Sequence, residues 1–349
     1  MNDFYRLSAA ITWIRFPLIL FVILLHGYSV VQLQGLHPTY FSSIYPFALW
    51  LGETGVPGFL FISGFLFFLS KKSYSAKLQS RFHTLLIPYL IWNGLLLVVY
   101  LLLYVLGHPQ EINDRSIADY EAIDYVRLFW DRGTFDNGNF VPILCPFWYI
   151  RNLILLSLLS PVVWFMVRYL REVFLVVIAI WWILTPHNAF VAQSMLFFSL
   201  GAYFSIHQHN PLQVFTRQRT FFFSLFLLLG LADMLSHSVY ATPVNLQIHR
   251  LALLANLPIL FLVADHFASR QHNHTLLSSS VFIVFSIHYP IIVVLRKLCV
   301  NLFSAMPDVT QILLYFGCFA VTVLMSLLFY VILQKVSPRL TNILAGNRT

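Results

Sequence analysis

Two ionisable side chains, Arg15 and His26, stand eleven positions apart in the first apolar segment, RFPLILFVILLHG. In an α-helix, eleven residues turn the chain about 20° past three full turns and advance it about 16 Å, so both side chains lie on one face. Arginine can bind a phosphate, and neutral histidine can act as a general base on a hydroxyl. Ionisable residues inside membrane helices are expensive to keep, which makes both candidate functional residues. The alternatives are headgroup contact for Arg15 and a structural hydrogen bond for His26.

Two further polar residues are expected at the depth of His26, Glu53 in LGETGVPGF and Arg151 in PFWYIRN. A carboxylate beside an imidazole fixes the tautomer of the ring and supports its protonated form, so Glu53 is a candidate catalytic partner of His26, or else a headgroup contact. Arg151 can stabilise an oxyanion or a carboxylate and is also a catalytic candidate. His288, shortly before Pro290, is either a second proton carrier or a hydrogen-bonding residue at a helix kink.

The densest basic cluster follows the second apolar segment and contains Lys71, Lys72, Lys77 and Arg81. Cytoplasmic loops of membrane proteins are enriched in Lys and Arg, so topology alone can explain the cluster. The functional interpretation is a binding site for a phosphate-rich cytosolic ligand such as a coenzyme A thioester. Arg250, at the start of a later apolar segment, is expected at the membrane interface or paired with an acidic outer loop.

The composition indicates a protein of the lipid bilayer. Of 349 residues, 59% are hydrophobic and 10% are charged, and the mean hydropathy is +0.78. The formal net charge of +8 is explained by basic residues at the ends of apolar segments, so no nucleic-acid partner is expected. Three widely separated cysteines without CxxC spacing predict neither a disulfide framework nor a metal site, and no permanently bound cofactor is expected.

The apolar segments predict an all-α polytopic bundle of about ten transmembrane helices in a single membrane-embedded domain, residues 1–349. A helix needs roughly 20 apolar residues to cross a hydrocarbon core about 30 Å thick. Both termini are expected in the cytoplasm, the outer loop spans about 108–146, and the first span is expected to stay uncleaved. The predicted spans are 10–33, 46–70, 84–106, 147–167, 172–186, 189–206, 220–238, 247–267, 278–300 and 310–334.

The order and spacing of these landmarks resemble the integral-membrane acyltransferase type 3 family. Arg15 and His26 are similar to its Arg-x10-His motif on the first helix. Four more stretches carry the resemblance, namely GVPGFLFISGFLFF (55–68), RFHTLLIPYLIWN (81–93), FWYIRNLILLSLLSP (147–161) and FSIHYPII (285–292). The likeness extends from about residue 6 to residue 335.

The resemblance implies a membrane O-acyltransferase of a bacterial inner membrane. It implies that the donor is cytosolic acyl-CoA, often acetyl-CoA, and that the acceptor is a hydroxyl of an extracytoplasmic or lipid-linked glycan. His26 is then the general base or proton relay, and Arg15 organises the donor. The sequence departs from the family pattern at two points. Asn152 stands where many relatives carry Asp, so a carboxylate role is not available there, and no appended soluble domain is expected, so transfer would be completed within the membrane domain.

The alternative function is a proton-coupled transporter or exporter of a small or lipid-linked molecule, with Arg15, His26 and Glu53 as coupling groups. The basic cluster favours the enzyme. The absence of a detectable internal repeat also favours it, because many transporter folds are built from such repeats.

Overall fold

The computed structural model describes residues 3–27, 44–108, 111–112, 114–133, 140–185, 189–236, 243–268, 275–305 and 307–347. This part of the chain is almost entirely helical, which confirms the all-α class. Helices are expected from long apolar runs because, in lipid, backbone polar groups must be bonded within their own segment. In chain order the elements are α1 (Asp3–Gly27), α2 (Tyr45–Gly52), α3 (Gly55–Leu69), α4 (Tyr74–Arg81), a π-helical turn (Phe82–Leu86), α5 (Ile87–Val105), β1 (Glu111–Ile112), β2 (Arg115–Ser116), a 3-10 turn (Ile117–Asp119), α6 (Ala122–Arg127), a second 3-10 turn (Cys145–Phe147), α7 (Trp148–Leu158), α8 (Ser160–Leu184), α9 (Phe190–Ile206), α10 (Pro211–Arg217), α11 (Arg219–Ser236), α12 (Pro243–Ala268), α13 (Thr275–Ala305), α14 (Asp308–Val336) and α15 (Pro338–Leu344).

The polytopic membrane bundle is confirmed, with seven to nine candidate spans among the described residues compared with about ten predicted. Among the described residues, seven helical segments are long and apolar enough to cross a bilayer, and two bent pairs raise the number to nine at most. One bent pair, Cys145–Leu158 with Ser160–Leu184, contains both the fourth and the fifth predicted spans. The seven segments are Tyr5–Gly27, Tyr45–Leu69, Tyr74–Val105, Arg219–Ser236, Pro243–Ala268, Leu276–Cys299 and Ile312–Val336.

Helix α8 changes direction at Arg171, whose φ of +52° lies in the left-handed region. Before this break, the Val167 carbonyl oxygen is 3.1 Å from Nε2 of His207, just beyond the end of α9. After it, the Trp182 ring packs against Phe197 in the middle of α9. The chain therefore runs to the end of α9 and turns back along it, and the break separates the fourth and fifth predicted spans. The total of ten spans and the cytoplasmic termini stay predictions.

Helix α1 is central in the bundle, since it packs against α2, α3, α12, α13 and α14. Leu18, Ile19 and Ile23 on this helix have no exposed surface. A helix that is apolar on all sides is typical of a buried element. Arg15 and His26 on this helix are half-buried, whereas its Ser8 and Thr12 side chains are exposed.

Helices α3 and α9 cross at two glycines, which allow their backbones to touch. A Cβ atom at Gly64 would overlap the carbonyl oxygen of Phe198, and one at Gly201 would overlap the carbonyl oxygen of Phe61. Small residues permit this close approach between membrane helices. The crossing fixes the two helices against each other, and both contribute to the cavity walls described below.

The described part of the outer loop forms a small unit of its own. The two-residue strands β1 and β2 pair antiparallel, with Glu111 opposite Ser116. Helix α6 begins with a capping box in which Glu121 and Asp124 bond each other's backbone. These backbone hydrogen bonds and the neighbouring Arg115 guanidinium lower the pKa of Asp124 below its usual range. The buried side chains of this unit are Ile112, Ile117, Leu128 and Ile143.

Candidate active site

Arg15 and His26 line two different cavities of the bundle. Arg15 lines a cavity of about 280 Å³, here called the Arg15 cavity. His26 lines a second cavity of about 190 Å³, here called the His26 cavity. Both residues are on α1, about 16 Å apart along its axis. The structure therefore places the two side chains at separate sites along the helix, as the spacing predicts.

The Arg15 cavity contains two guanidinium groups, because Arg81 also lines it. Within the described residues, no hydrogen bond or ion pair joins either group to another side chain; Arg81 has a cation–π contact with Phe67 at 5.4 Å. Tyr149 and Ser63 add hydroxyl groups to the wall. Two cations in a small cavity attract an anion, and guanidinium groups match phosphate oxygens particularly well.

The other three residues of the predicted donor-binding cluster lie outside this cavity. Lys71 and Lys72 are exposed on the connection between α3 and α4. The Lys77 ammonium group lies over the ring of Phe67, 5.0 Å from its centroid. Of the four predicted bases, only Arg81 reaches the Arg15 cavity.

The His26 cavity combines aromatic faces with polar groups. Its walls include the stacked rings of Trp148 and Phe190, whose centroids are 4.0 Å apart, and the amide of Gln193. The imidazole of His26 contacts the ring of Tyr289 edge-on, at 5.1 Å between centroids. Within the described residues it makes no hydrogen bond. Its ring nitrogens are therefore available to a molecule in the cavity.

Glu53 also lines the His26 cavity, but its hydrogen-bonding partner is His249 and not His26. Oε2 of Glu53 is 3.1 Å from Nε2 of His249, and Oδ2 of Asp233 is 2.8 Å from Nδ1 of the same ring. The predicted Glu53–His26 pair is thus corrected, because α12 brings a second histidine to the carboxylate. Carboxylates only accept hydrogen bonds when ionised, so with both acids ionised His249 donates from both nitrogens and is an imidazolium.

The residues His249 and Asp233 were not among the predicted site residues. Both side chains are nearly inaccessible, at 2% and 4% exposure. A signal was present in the sequence, since an acid in LLLGLADML and a histidine at the start of the next span are ionisable groups in apolar segments. The local sequence of neither segment indicates that Asp233 and His249, 16 positions apart, form a hydrogen bond with each other.

Arg151 lies outside both cavities and holds the backbone of the outer loop. Its Nη1 donates to the Trp130 carbonyl at 2.6 Å, and its Nη2 donates to the Phe140 carbonyl at 2.8 Å. The side-chain oxygen of Asn152 accepts a third hydrogen bond at 3.1 Å. The structure therefore does not bring this candidate to His26, because its donors are engaged by carbonyl oxygens.

Arg250 is buried at 3% exposure rather than interfacial. Its Nη1 donates to the carbonyls of Trp182 and Thr185 at the end of α8, where the last carbonyls of a helix lack intrahelical donors. The guanidinium group donates hydrogen bonds to these carbonyl oxygens. These hydrogen bonds offset part of the free-energy cost of burying its charge.

His288 makes the backbone hydrogen bond expected at a helix kink. Its Nδ1 donates to the Phe285 carbonyl at 2.7 Å, three residues earlier on α13. Its Nε2 is buried without a partner among the described residues, and the ring lies 5.4 Å from that of His26. The two histidine rings are therefore neighbours, although only His26 lines the His26 cavity.

Comparison with known proteins agrees with the resemblance in the motifs. Residues 8–331 match the acyltransferase 3 family, described as an acyltransferase domain. The succinoglycan biosynthesis protein ExoH of Rhizobium meliloti (strain 1021) is 33% identical over 171 residues. That alignment covers 46% of this chain and 44% of ExoH, so the chain spans less than half the length of this relative. No solved structure matches.

Proposed function

This chain belongs to the acyltransferase 3 family, and we propose that it is a membrane O-acyltransferase. It moves an acyl group, acetyl in the simplest case, from cytosolic acyl-CoA to a hydroxyl of an extracytoplasmic or lipid-linked glycan. The observation that carries the proposal is the pair of cavities lined by α1, one with two arginines and one with a histidine that makes no hydrogen bond within the described residues. The name of the ExoH relative, a succinoglycan biosynthesis protein from a bacterium, supports a polysaccharide acceptor and a bacterial inner membrane.

The donor binds in the Arg15 cavity. Arg15 and Arg81 supply two permanent positive charges for the phosphates of coenzyme A. Neither guanidinium group donates a hydrogen bond to another described side chain. The exposed Lys71 and Lys72 and the half-buried Lys77 act at longer range, since positive charges near the cavity raise the local concentration of an anionic substrate. With the N-terminus in the cytoplasm, this cavity is the one that a cytosolic donor reaches first.

The acceptor binds in the His26 cavity, where His26 acts as the general base. The imidazole takes the proton of the acceptor hydroxyl while its oxygen attacks the thioester carbonyl carbon. The carbon–sulfur bond then breaks, and the proton passes from His26 to the thiolate sulfur. The products are an ester and free coenzyme A, with no net gain or loss of protons. Arg151 has no part in this scheme, because backbone carbonyls hold its guanidinium.

Glu53 orients the acceptor. Its side chain is 33% exposed toward the cavity, whereas its partner His249 is buried. The hydrogen bond to His249 holds the Glu53 carboxyl group in place, so its oxygens can accept hydrogen bonds from sugar hydroxyls. The rings of Trp148 and Trp182 offer apolar faces to a sugar ring.

The proposal is tested by measuring coenzyme A release and ester formation with purified protein, acetyl-CoA and a bacterial exopolysaccharide fraction. We expect His26→Ala to lower turnover by about 10²- to 10⁴-fold, the usual contribution of a general base. The matched control is His209→Ala, because His209 is an exposed histidine that lines neither cavity.

Folding of the His26→Ala protein should be nearly normal, because its imidazole makes no hydrogen bond within the described residues. Undiminished ester formation by this variant would remove His26 from the chemistry. Proton-coupled solute flux in proteoliposomes without coenzyme A release would favour the transporter instead.

A further inference from the structure

The two cavities meet at one aromatic side chain. Among the described residues, Phe285 is the one side chain that lines both the Arg15 cavity and the His26 cavity. Its exposed fraction is 4%, so the ring fills the space between them instead of leaving a passage. The barrier between the cavities is therefore about one aromatic ring thick at this point.

The start of α7 gives independent support for a boundary at this depth. Trp148 lines the His26 cavity, and the next residue, Tyr149, lines the Arg15 cavity. The Phe285 ring lies 5.7 Å from that of Tyr149 and stacks on Phe147 with centroids 5.6 Å apart. Phe147 has no exposed surface and forms a fixed wall behind the stacked ring.

The backbone at Phe285 is fixed by its helix, so the side chain is the part that can move. Helix α13 is continuous through this position, and the Phe285 carbonyl accepts the hydrogen bond from Nδ1 of His288. Opening the boundary therefore requires the phenyl ring to change rotamer. A buried side chain can change rotamer while its helix stays folded. Because protein interiors contain little empty space, such a change is the way in which a passage can open here.

We propose that Phe285 determines which acyl groups pass from the Arg15 cavity to the His26 cavity. This inference rests on the proposed function, since a donor with phosphates at Arg15 has to reach His26 across about 16 Å. The acyl end of the thioester arm enters first and displaces the ring from Phe147. A short acyl group needs a small displacement and a long one a larger displacement, so the native phenylalanine favours short chains.

The experiment compares Phe285→Ala with Phe282→Ala. Phe282 is one turn earlier on α13, packs on the same Phe147, and lines only the Arg15 cavity. For each protein, kcat/KM is measured with acetyl-, butyryl- and octanoyl-CoA. We expect Phe285→Ala to raise the octanoyl-to-acetyl ratio by about tenfold or more, the discrimination that one or two methylene groups give in an apolar pocket. Phe282→Ala should leave this ratio within about twofold. An equal change in both variants, or in neither, overturns the proposal.

A second readout does not depend on acyl transfer. Cys145 lines the His26 cavity and serves as a reporter after Cys299→Ser and Cys318→Ser remove the other two thiols. A membrane-impermeant thiol reagent is added to sealed vesicles whose cytoplasmic face is outward. Labelling of Cys145 should be slow with native Phe285, several-fold faster in Phe285→Ala and unchanged in Phe282→Ala. Equal labelling in all three proteins contradicts the proposed barrier.

The two readouts separate this inference from the proposed function. Faster labelling in Phe285→Ala without turnover of any acyl-CoA by the native protein would keep the barrier and reject the acyltransferase. Acyl transfer that requires His26 but keeps its chain-length ratio in Phe285→Ala would keep the acyltransferase and reject the role of Phe285. Phe285→Leu, which is smaller but still apolar, serves as the test variant if the alanine protein fails to fold.

Discussion

The two cavities differ in how their charges are held. In the Arg15 cavity, the guanidinium groups of Arg15 and Arg81 have no bonded partner among the described residues. At the His26 cavity, Glu53 and His249 are bonded to each other, and His249 is also bonded to Asp233 behind the cavity wall. A charge without a partner is available to a ligand, whereas a partnered charge is part of the folded structure. The two regions should therefore respond differently to the same kind of mutation.

The largest expected effect is on stability and comes from His249→Ala. The change leaves the carboxylates of Glu53 and Asp233 in the bundle without their shared donor. Breaking a buried ion pair by removing one partner destabilises proteins by about 3–5 kcal/mol. The measurement is thermal unfolding in detergent, in which the variant should unfold at clearly lower temperature than the native protein.

The control for this effect is Arg15→Ala, which removes a charge that has no bonded partner among the described residues and should therefore not lower stability. Adding Asp233→Asn to His249→Ala should restore part of the stability, because one uncompensated carboxylate is removed. Equal stability of Arg15→Ala and His249→Ala proteins would contradict the contrast between the two cavities.

The second effect is on donor binding. Arg15→Gln and Arg81→Gln should each raise the KM for acyl-CoA by about tenfold to a hundredfold, since a hydrogen bond to a charged group is worth about 1.5–3 kcal/mol. The native KM should also rise with salt concentration. Lys71→Gln is the matched control, because the exposed Lys71 lies outside the cavity, and its KM should stay within about twofold. If neither substitution changed the KM for acyl-CoA, the donor would bind outside the Arg15 cavity.

The smallest expected effect is on acceptor binding. Glu53→Gln keeps an oxygen that can accept from His249 but loses the negative charge that favours sugar hydroxyls. We expect the KM for the acceptor to rise by roughly tenfold, with the KM for acyl-CoA unchanged. Initial rates at varied concentrations of each substrate measure both constants. Glu172→Gln, in an exposed acid bonded to Tyr203, is the control. A changed donor KM in Glu53→Gln would place Glu53 on the donor side.

The fold class and the face shared by Arg15 and His26 could be predicted because both depend on local properties. Hydropathy over about 20 residues decides whether a segment enters a bilayer, and helical periodicity decides which residues share a face. The division of 145–184 was predicted as well, because the break at Arg171 falls between the predicted spans 147–167 and 172–186. The left-handed conformation of Arg171 itself was not predicted, because no glycine marks it.

The partners of the polar residues were beyond prediction from the sequence. Glu53 and His249 are 196 positions apart, and Arg151 is bonded to backbone carbonyls that carry no side-chain signature. Which residues meet depends on where α2, α11 and α12 cross, and that is decided by close packing of side chains over the whole bundle.

The sequence by itself therefore determined that the protein is a helical membrane bundle with Arg15 and His26 at two depths of one helix face. Only the tertiary structure decided that these residues line separate cavities, that Phe285 lies between them, and that His249 is the partner of Glu53. The physical reason is one of range. Hydropathy and helical periodicity act along the chain over tens of residues, whereas cavities and ion pairs form between helices that are distant in sequence.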